Sequence, residues 1–148
     1  MQKTLILFKP DCVQRKLVGT IVQRFEKKGL RLAGLKLVQA SRELAEKHYA
    51  VHKGKPFYES LLGFLTSGPT VALVWEGREA VAVARTLMGP TDGTKAPPAT
   101  IRGDFALSVQ NNLVHGSDSP ENAELEIKLW FKPEELVGWA PAEQGWIG

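Results

Sequence analysis

The sequence predicts one domain in which β-strands alternate with α-helices, and three features carry that reading. Thr4 to Phe8 is a short apolar run ended by Pro10, and Val71 to Trp75 is a second; both have the length and composition of buried strands. Between them Leu17, Ile21 and Phe25 recur every four residues with Val18 and Val22 beside them, one apolar face of a helix. Such alternation ordinarily goes with a parallel α/β sheet, but periodicity leaves the strand order open.

The remaining elements follow in order. Gly29 is placed to stop the first helix. Leu30 to Ala40 alternates apolar and polar residues with a slip of phase near Gly34, which predicts a bulged strand. Ser41 caps a short helix through about Tyr49. A second helical stretch after Pro56 carries Phe57, Leu61, Leu62 and Leu65 on one side and ends at Gly68-Pro69. Glu79 to Met88 is helical in spacing, and from Gly89 to about Gly103 no periodicity remains. A loop of that length in a compact domain generally has a function. Leu113 to His115 reads as a brief strand. Ser119-Pro120-Glu121 opens a helix with a capping hydroxyl, a first-turn proline and an acid at the positive end of the dipole. That helix runs to about Phe131, with Glu124 and Lys128 paired one turn apart. The tail after Pro133 carries two of the four Trp and reads as laid on the surface.

Bulk properties narrow the function. The 148 residues suffice for one domain with a real core. A net charge of +3 with dispersed Lys and Arg lacks the basic stripe of a nucleic-acid binder, so nucleic acid is not expected as the main ligand. It suits a few cations converging on a small phosphate compound. The single cysteine, Cys12, excludes an internal disulfide and suits a reducing compartment. Leu5 to Phe8 is too short for a signal peptide, and no stretch approaches the ~20 apolar residues that span a bilayer. The expectation is a cytoplasmic protein with no membrane partner.

His48 and His52 have the spacing of a helical metal pair, but no Glu follows His48 and no third ligand stands near in sequence. They read as exposed or capping residues. His115 lies in Asn112-Leu113-Val114-His115-Gly116-Ser117-Asp118-Ser119, between a strand and a helix start. Gly116 leaves approach to the ring open, and Ser117 and Asp118 offer hydrogen bonds. A nucleophilic histidine needs one ring nitrogen free and the other held by an acceptor, and Glu126 on the following helix is a candidate acceptor. On spacing alone a satisfied structural histidine fits as well.

Asn-x-x-His-Gly-Ser-Asp resembles the active-site signature of the nucleoside diphosphate kinases. The likeness covers the whole chain: Thr4 to Asp11 resembles the family's opening strand and its Lys-Pro-Asp turn. His48-Tyr49, Pro56-Phe57-x-x-x-Leu61, Ser67-Gly68-Pro69, Trp75-Glu76-Gly77, Thr100 to Phe105 and Trp130-Phe131 follow in the family's order. The resemblance implies a ferredoxin-like βαββαβ α+β fold, a four-stranded antiparallel sheet with helices on one face, plus a long loop and a C-terminal extension. It implies a ping-pong reaction in which a nucleoside triphosphate gives its γ-phosphate to His115 and a nucleoside diphosphate takes it. Nδ1 attacks, and Glu126 and Ser117 steady the ring. Lys9, Tyr49, Arg85, Thr91, Arg102 and Asn112 would meet phosphates and sugar hydroxyls, with Mg²⁺ held mainly by the nucleotide phosphates and not directly by the protein. Phe57, Leu61 and Val109 would flank the base.

Two departures stand out. Cys12 replaces the Gly that usually follows Lys-Pro-Asp, and a positive φ there would strain it by ~1 kcal/mol or more. Asp92-Gly93 and Pro98-Ala99 stand where Asn-Pro and Pro-Gly are common. The tail from Glu135 to Ile147 resembles that of hexameric members, so a homo-hexamer is expected. The competing reading is a kinase-fold module that binds nucleic acid or a regulatory partner; such a protein would be expected to lose the histidine or its phosphate ligands, and this chain has them.

Overall fold

The computed structural model describes all 148 residues. The elements in order are β1 (Gln2–Phe8), α1 (Pro10–Gln14), α2 (Val18–Lys28), β2 (Arg31–Val38), α3 (Arg42–His48), α4 (Tyr58–Thr66), β3 (Thr70–Gly77), α5 (Ala80–Met88), α6 (Ile101–Phe105), β4 (Val114–Gly116), α7 (Pro120–Trp130) and α8 (Gln144–Ile147). Single 3₁₀ turns occupy Ala50–His52, Gly93–Lys95 and Pro133–Glu135. The strands pair in the order β2-β3-β1-β4, every neighbour antiparallel. The alternation of strands and helices therefore belongs to an α+β fold and not to a parallel sheet.

Local chemistry sets the boundaries. Gly29 ends α2 in the left-handed conformation at φ 105°, where a glycine has no Cβ to clash. The Ser41 hydroxyl accepts from the Leu44 N–H at the start of α3, and Ser119 accepts from Asn122 at the start of α7. The predicted slip in β2 is a bulge against β3 between Leu32 and Gly34.

The central strands β1 and β3 have almost no exposed face. Ile6, Phe8, Leu73 and Trp75 point into one core with Ile21 and Phe25 of α2 and Ala80, Ala84 and Met88 of α5. Leu5, Leu7, Ala72 and Val74 point into a second core with Leu62 and Leu65 of α4 and Ile127 and Trp130 of α7. The expected layer of helices on one face is α2 with α5. The other face carries a second layer of α3, α4 and α7, because continuous apolar strands need cover on both sides. Burying a Leu or Phe side chain is worth about 1.5–3 kcal/mol, so neither layer is dispensable.

Two expectations are corrected. The aperiodic stretch after Gly89 ends at α6, which Thr100 caps by accepting from the Gly103 N–H. A Cβ at Gly103 would collide with the Pro97 carbonyl. The strain expected at Cys12 is absent: Cys12 lies inside α1, and positive φ among non-glycine residues occurs only at Lys16, Glu79, Ala99 and Leu113. Its thiol is wholly buried, and burial followed by the Asp11 charge pushes its pKa up to about 12.

Strain falls instead on Ala99, at φ 78°. Its N–H donates to Asp104 and its carbonyl accepts from Arg24, so the backbone is tied in place from both sides. Ala99→Gly is expected to raise the unfolding free energy by about 0.5–1 kcal/mol, the relief of a Cβ in left-handed backbone less the added chain entropy of glycine. Urea denaturation measures it; an unchanged or lowered midpoint would show that the loop bears no strain there.

Candidate active site

His115 is placed by strand pairing. It stands opposite Leu7 in the β1–β4 ladder, so both side chains point to the face that α7 covers. Ile127 and Trp130 anchor α7 on that face, which brings Glu126 beside the imidazole. Glu126 Oε2 lies 3.1 Å from His115 Nε2, and the Ser117 hydroxyl donates to Oε1 at 2.6 Å. Ser117 is itself fully buried and accepts from the Leu5 N–H. Burial alone would raise the Glu126 carboxyl, but the hydrogen bond and charge of His115, then the Ser117 hydrogen bond, outweigh it and hold the carboxyl below its ordinary value. An ionised carboxylate only accepts, so the neutral ring carries its proton at Nε2 and leaves the Nδ1 lone pair free.

A cationic arm faces this ring. Lys9 Nζ donates to Asn112 Oδ1 at 2.5 Å and sits 5.5 Å from the Phe64 ring centroid. Burial lowers the Lys9 pKa to about 8, with Asp11 opposing the shift and Arg102 adding to it. Asn112 Nδ2 donates to the Thr91 carbonyl, which ties the long loop to the site. Arg85 reaches from α5 to the Gly116 carbonyl. Arg102 donates to the carbonyls of Asn112, Gly89 and Val114, so it holds the loop to β4 as well as carrying charge. Burial, then Arg85, lowers its pKa to about 10. Tyr49 is pushed up to about 12 by burial and by Glu126.

Lys9, Tyr49, Phe57, Leu61, Arg85, Thr91, Arg102, Val109, Asn112, His115 and Glu126 all line one cleft of about 760 Å³, the size of a small-molecule site. Ser117 lies behind it, holding Glu126. Phe57 and Val109 are exposed at the mouth, 46% and 57%, available to an incoming planar group.

Sequence reasoning missed His48, which is neither exposed nor a cap. Its Nδ1 accepts from Trp130 Nε1 at 3.2 Å, and its ring meets His115 edge to face with centroids 4.6 Å apart. Burial, then the neighbouring His115, lowers its pKa to about 3, so it is a neutral wall of the site. Its spacing to His52 masked its true partners, Trp130 and His115, which are distant in sequence. Gly116 also has a different role from the one expected: a Cβ there would stand 2.7 Å from Met88 Sδ, so the glycine lets α5 approach β4.

One ligand atom each of His48, His115 and Glu126 lies within 4.8 Å of the others, whereas His52 is turned toward Lys55. A hard cation such as Mg²⁺ prefers oxygen ligands. Both Glu126 oxygens are engaged, and Asp118 Oδ1 accepts from Asn122. The cleft thus gathers cations suited to an anion.

The family model described as Nucleoside diphosphate kinase matches residues 2–136. A nucleoside diphosphate kinase of Thermosynechococcus vestitus is 60% identical over 147 residues, covering 99% of this chain and 98% of that protein. One from Carboxydothermus hydrogenoformans is 58% identical, covering 99% of each. Among solved structures, a nucleoside diphosphate kinase family protein from Babesia bovis superposes with a TM-score of 0.97 at 44% identity over 100% of both chains. A halophilic nucleoside diphosphate kinase from Halobacterium salinarum in complex with CDP gives 0.97 at 46% identity, covering 99% of this chain and 98% of that one.

The electrostatics of Lys9 set a pH dependence. A buried ammonium with a pKa near 8 is charged below that pH and neutral above it. Affinity of the free protein for a phosphate-bearing ligand is therefore expected to fall as pH rises through about 8. Calorimetry with a nucleoside diphosphate between pH 7 and 9.5 measures it, with Lys9→Met as control. Affinity that stays flat in the native protein, or falls equally in the variant, would assign the charge elsewhere.

Proposed function

The chain belongs to the nucleoside diphosphate kinase family and is an enzyme that moves phosphate between nucleotides, and we propose that it does so by a ping-pong cycle through His115. Nδ1 attacks the γ-phosphorus of a nucleoside triphosphate. The Nδ1–P bond forms as the bond to the β,γ-bridging oxygen breaks, and the diphosphate leaves with that electron pair. A second nucleoside diphosphate then attacks the phosphorus with a terminal oxygen and returns the ring to its starting state. The observation that carries this reading is the Ser117–Glu126–His115 chain, which leaves Nδ1 open to a cleft walled by cations.

Phosphoryl transfer asks a protein chiefly for positioning and charge neutralisation. Glu126 faces the imidazolium that forms when Nδ1 takes the phosphoryl group. Lys9, Arg85 and Arg102 face the phosphate charge, with Tyr49, Thr91 and Asn112 at hydrogen-bonding positions on phosphates and sugar hydroxyls. Mg²⁺, when it enters on the nucleotide phosphates, supplies further charge neutralisation. Residues 1–148 form one such domain, and the reading extends to a cytoplasmic homo-hexamer. The exposed Trp146 and Ile147 on a short tail support burial against a neighbouring subunit. No helix is long and apolar enough to cross a membrane. The binding-module alternative is not favoured, since the relatives above are named for the kinase activity.

Incubation with Mg-ATP and no acceptor is expected to leave one phosphate per chain, lost in acid and kept in base, because protonation makes the phosphorylated imidazole a good leaving group. His115→Ala should take up none. Acid-labile phosphate on that variant would sink the assignment.

The base should be held without being read. Phe57, Leu61 and Val109 are apolar, and stacking on an aromatic is worth about 1–3 kcal/mol for any base. Large discrimination would need buried polar groups matched to one base edge. The kcat/KM values for ATP, GTP, CTP and UTP are expected within roughly two decades, with Phe57→Ala raising KM for all four. Steady-state kinetics decides; a strong preference for one base, abolished by that substitution, contradicts this account of the pocket.

A further inference from the structure

Leu113 holds strained backbone two residues before His115. It is fully buried at φ 74°, and the Val114 N–H donates to the Asn112 carbonyl across it at 2.9 Å. A bond from residue i+2 to residue i over a central φ near +75° is the rare, strained form of the γ-turn. Such backbone persists only where its surroundings over-determine it. Two residues of the β1–α1 junction do so. The Lys9 N–H donates to the Leu113 carbonyl at 2.9 Å, and the Leu113 N–H donates to Asp11 Oδ2 at 3.0 Å. Asp11 is thus the one side chain that grips this peptide N–H. Its other oxygen, Oδ1, is buried and has no hydrogen-bond partner.

The turn joins the two working parts of the site. Asn112 before it holds Lys9 Nζ and the Thr91 carbonyl, and His115 follows it by two residues. We propose that Asp11 is a positioning residue: through Leu113 it fixes the spacing between the Lys9–Asn112 arm and His115.

The Asp11 charge also bears on Lys9. The charged and titratable groups around Lys9 are Asp11 on α1, Arg102 on α6 and His48 on α3. Burial and Arg102 both disfavour its ammonium, and Asp11 opposes them. Two substitutions separate the acceptor from the charge. Asp11→Asn keeps an acceptor oxygen for the Leu113 N–H and removes the charge, whereas Asp11→Ala removes both.

The inference rests on His115 as the phosphate carrier, so the experiment follows phosphorylation of His115 by saturating Mg-ATP in a single turnover. Native enzyme, Asp11→Asn and Asp11→Ala are compared. Asp11→Ala is expected to slow phosphorylation at saturation at least tenfold. Asp11→Asn should recover to within about threefold at pH 7. The proposal is overturned if Asp11→Ala reacts at the native rate. It is equally overturned if Asp11→Asn is as slow as Asp11→Ala. Should Asp11→Ala not fold, the rate of Asp11→Asn decides alone, and a tenfold loss with the acceptor kept overturns the proposal. Native enzyme that gains no phosphate on His115 would instead refute the carrier role itself.

Discussion

The burial of β1 on both faces organises the molecule. Its apolar run from Leu5 to Phe8 leaves no side that water can share, so one helical layer must pack on Ile6 and Phe8 and another on Leu5 and Leu7. The second layer includes α7, and α7 carries Glu126. The same strand pairs with β4 and sets His115 opposite Leu7. The ring and its carboxylate thus meet because each is attached to the same buried strand, one by ladder hydrogen bonds and the other by packing. Covering an apolar surface and orienting a nucleophile are here one geometric requirement.

Electrostatic tension is the counterpart of that order. Lys9 and Arg102 are both held with their pKa values lowered, chiefly by burial, and Arg85 adds to the repulsion on Arg102. A phosphate chain entering the cleft supplies the opposite charge these groups lack. Any ligand that binds only the folded chain also stabilises it, and here that stabilisation would be concentrated where the β1–α1 junction, the long loop and β4 come together.

Much of the framework was legible because its signals are local. The bulge at Gly34, the Gly29 stop and the Ser41 and Ser119 caps are each written within a few residues. The strand order was not, since pairing of β1 with β4 spans about a hundred residues and leaves no periodic trace; resemblance supplied it. His48 was misread because its partners, Trp130 and His115, are remote in sequence. The two departures at usual glycine positions separated by backbone angle, which composition does not encode: Cys12 lies in a helix without strain, and Ala99 takes the left-handed conformation. The role of Arg102 was half legible, because its charge is evident from its type but its three backbone carbonyl partners are not.

Cys12 has a practical consequence. It is the sole thiol of the chain, fully buried in α1 and pushed to a pKa of about 12, so almost no thiolate exists near neutral pH. Alkylating reagents and mild oxidants find nothing to react with, and the native chain already serves as a silent background for site-directed labelling. A cysteine introduced at an exposed position such as Leu107, 86% accessible, would be the only one to take a spectroscopic probe. The loop beside the cleft could then be followed without first removing a native thiol.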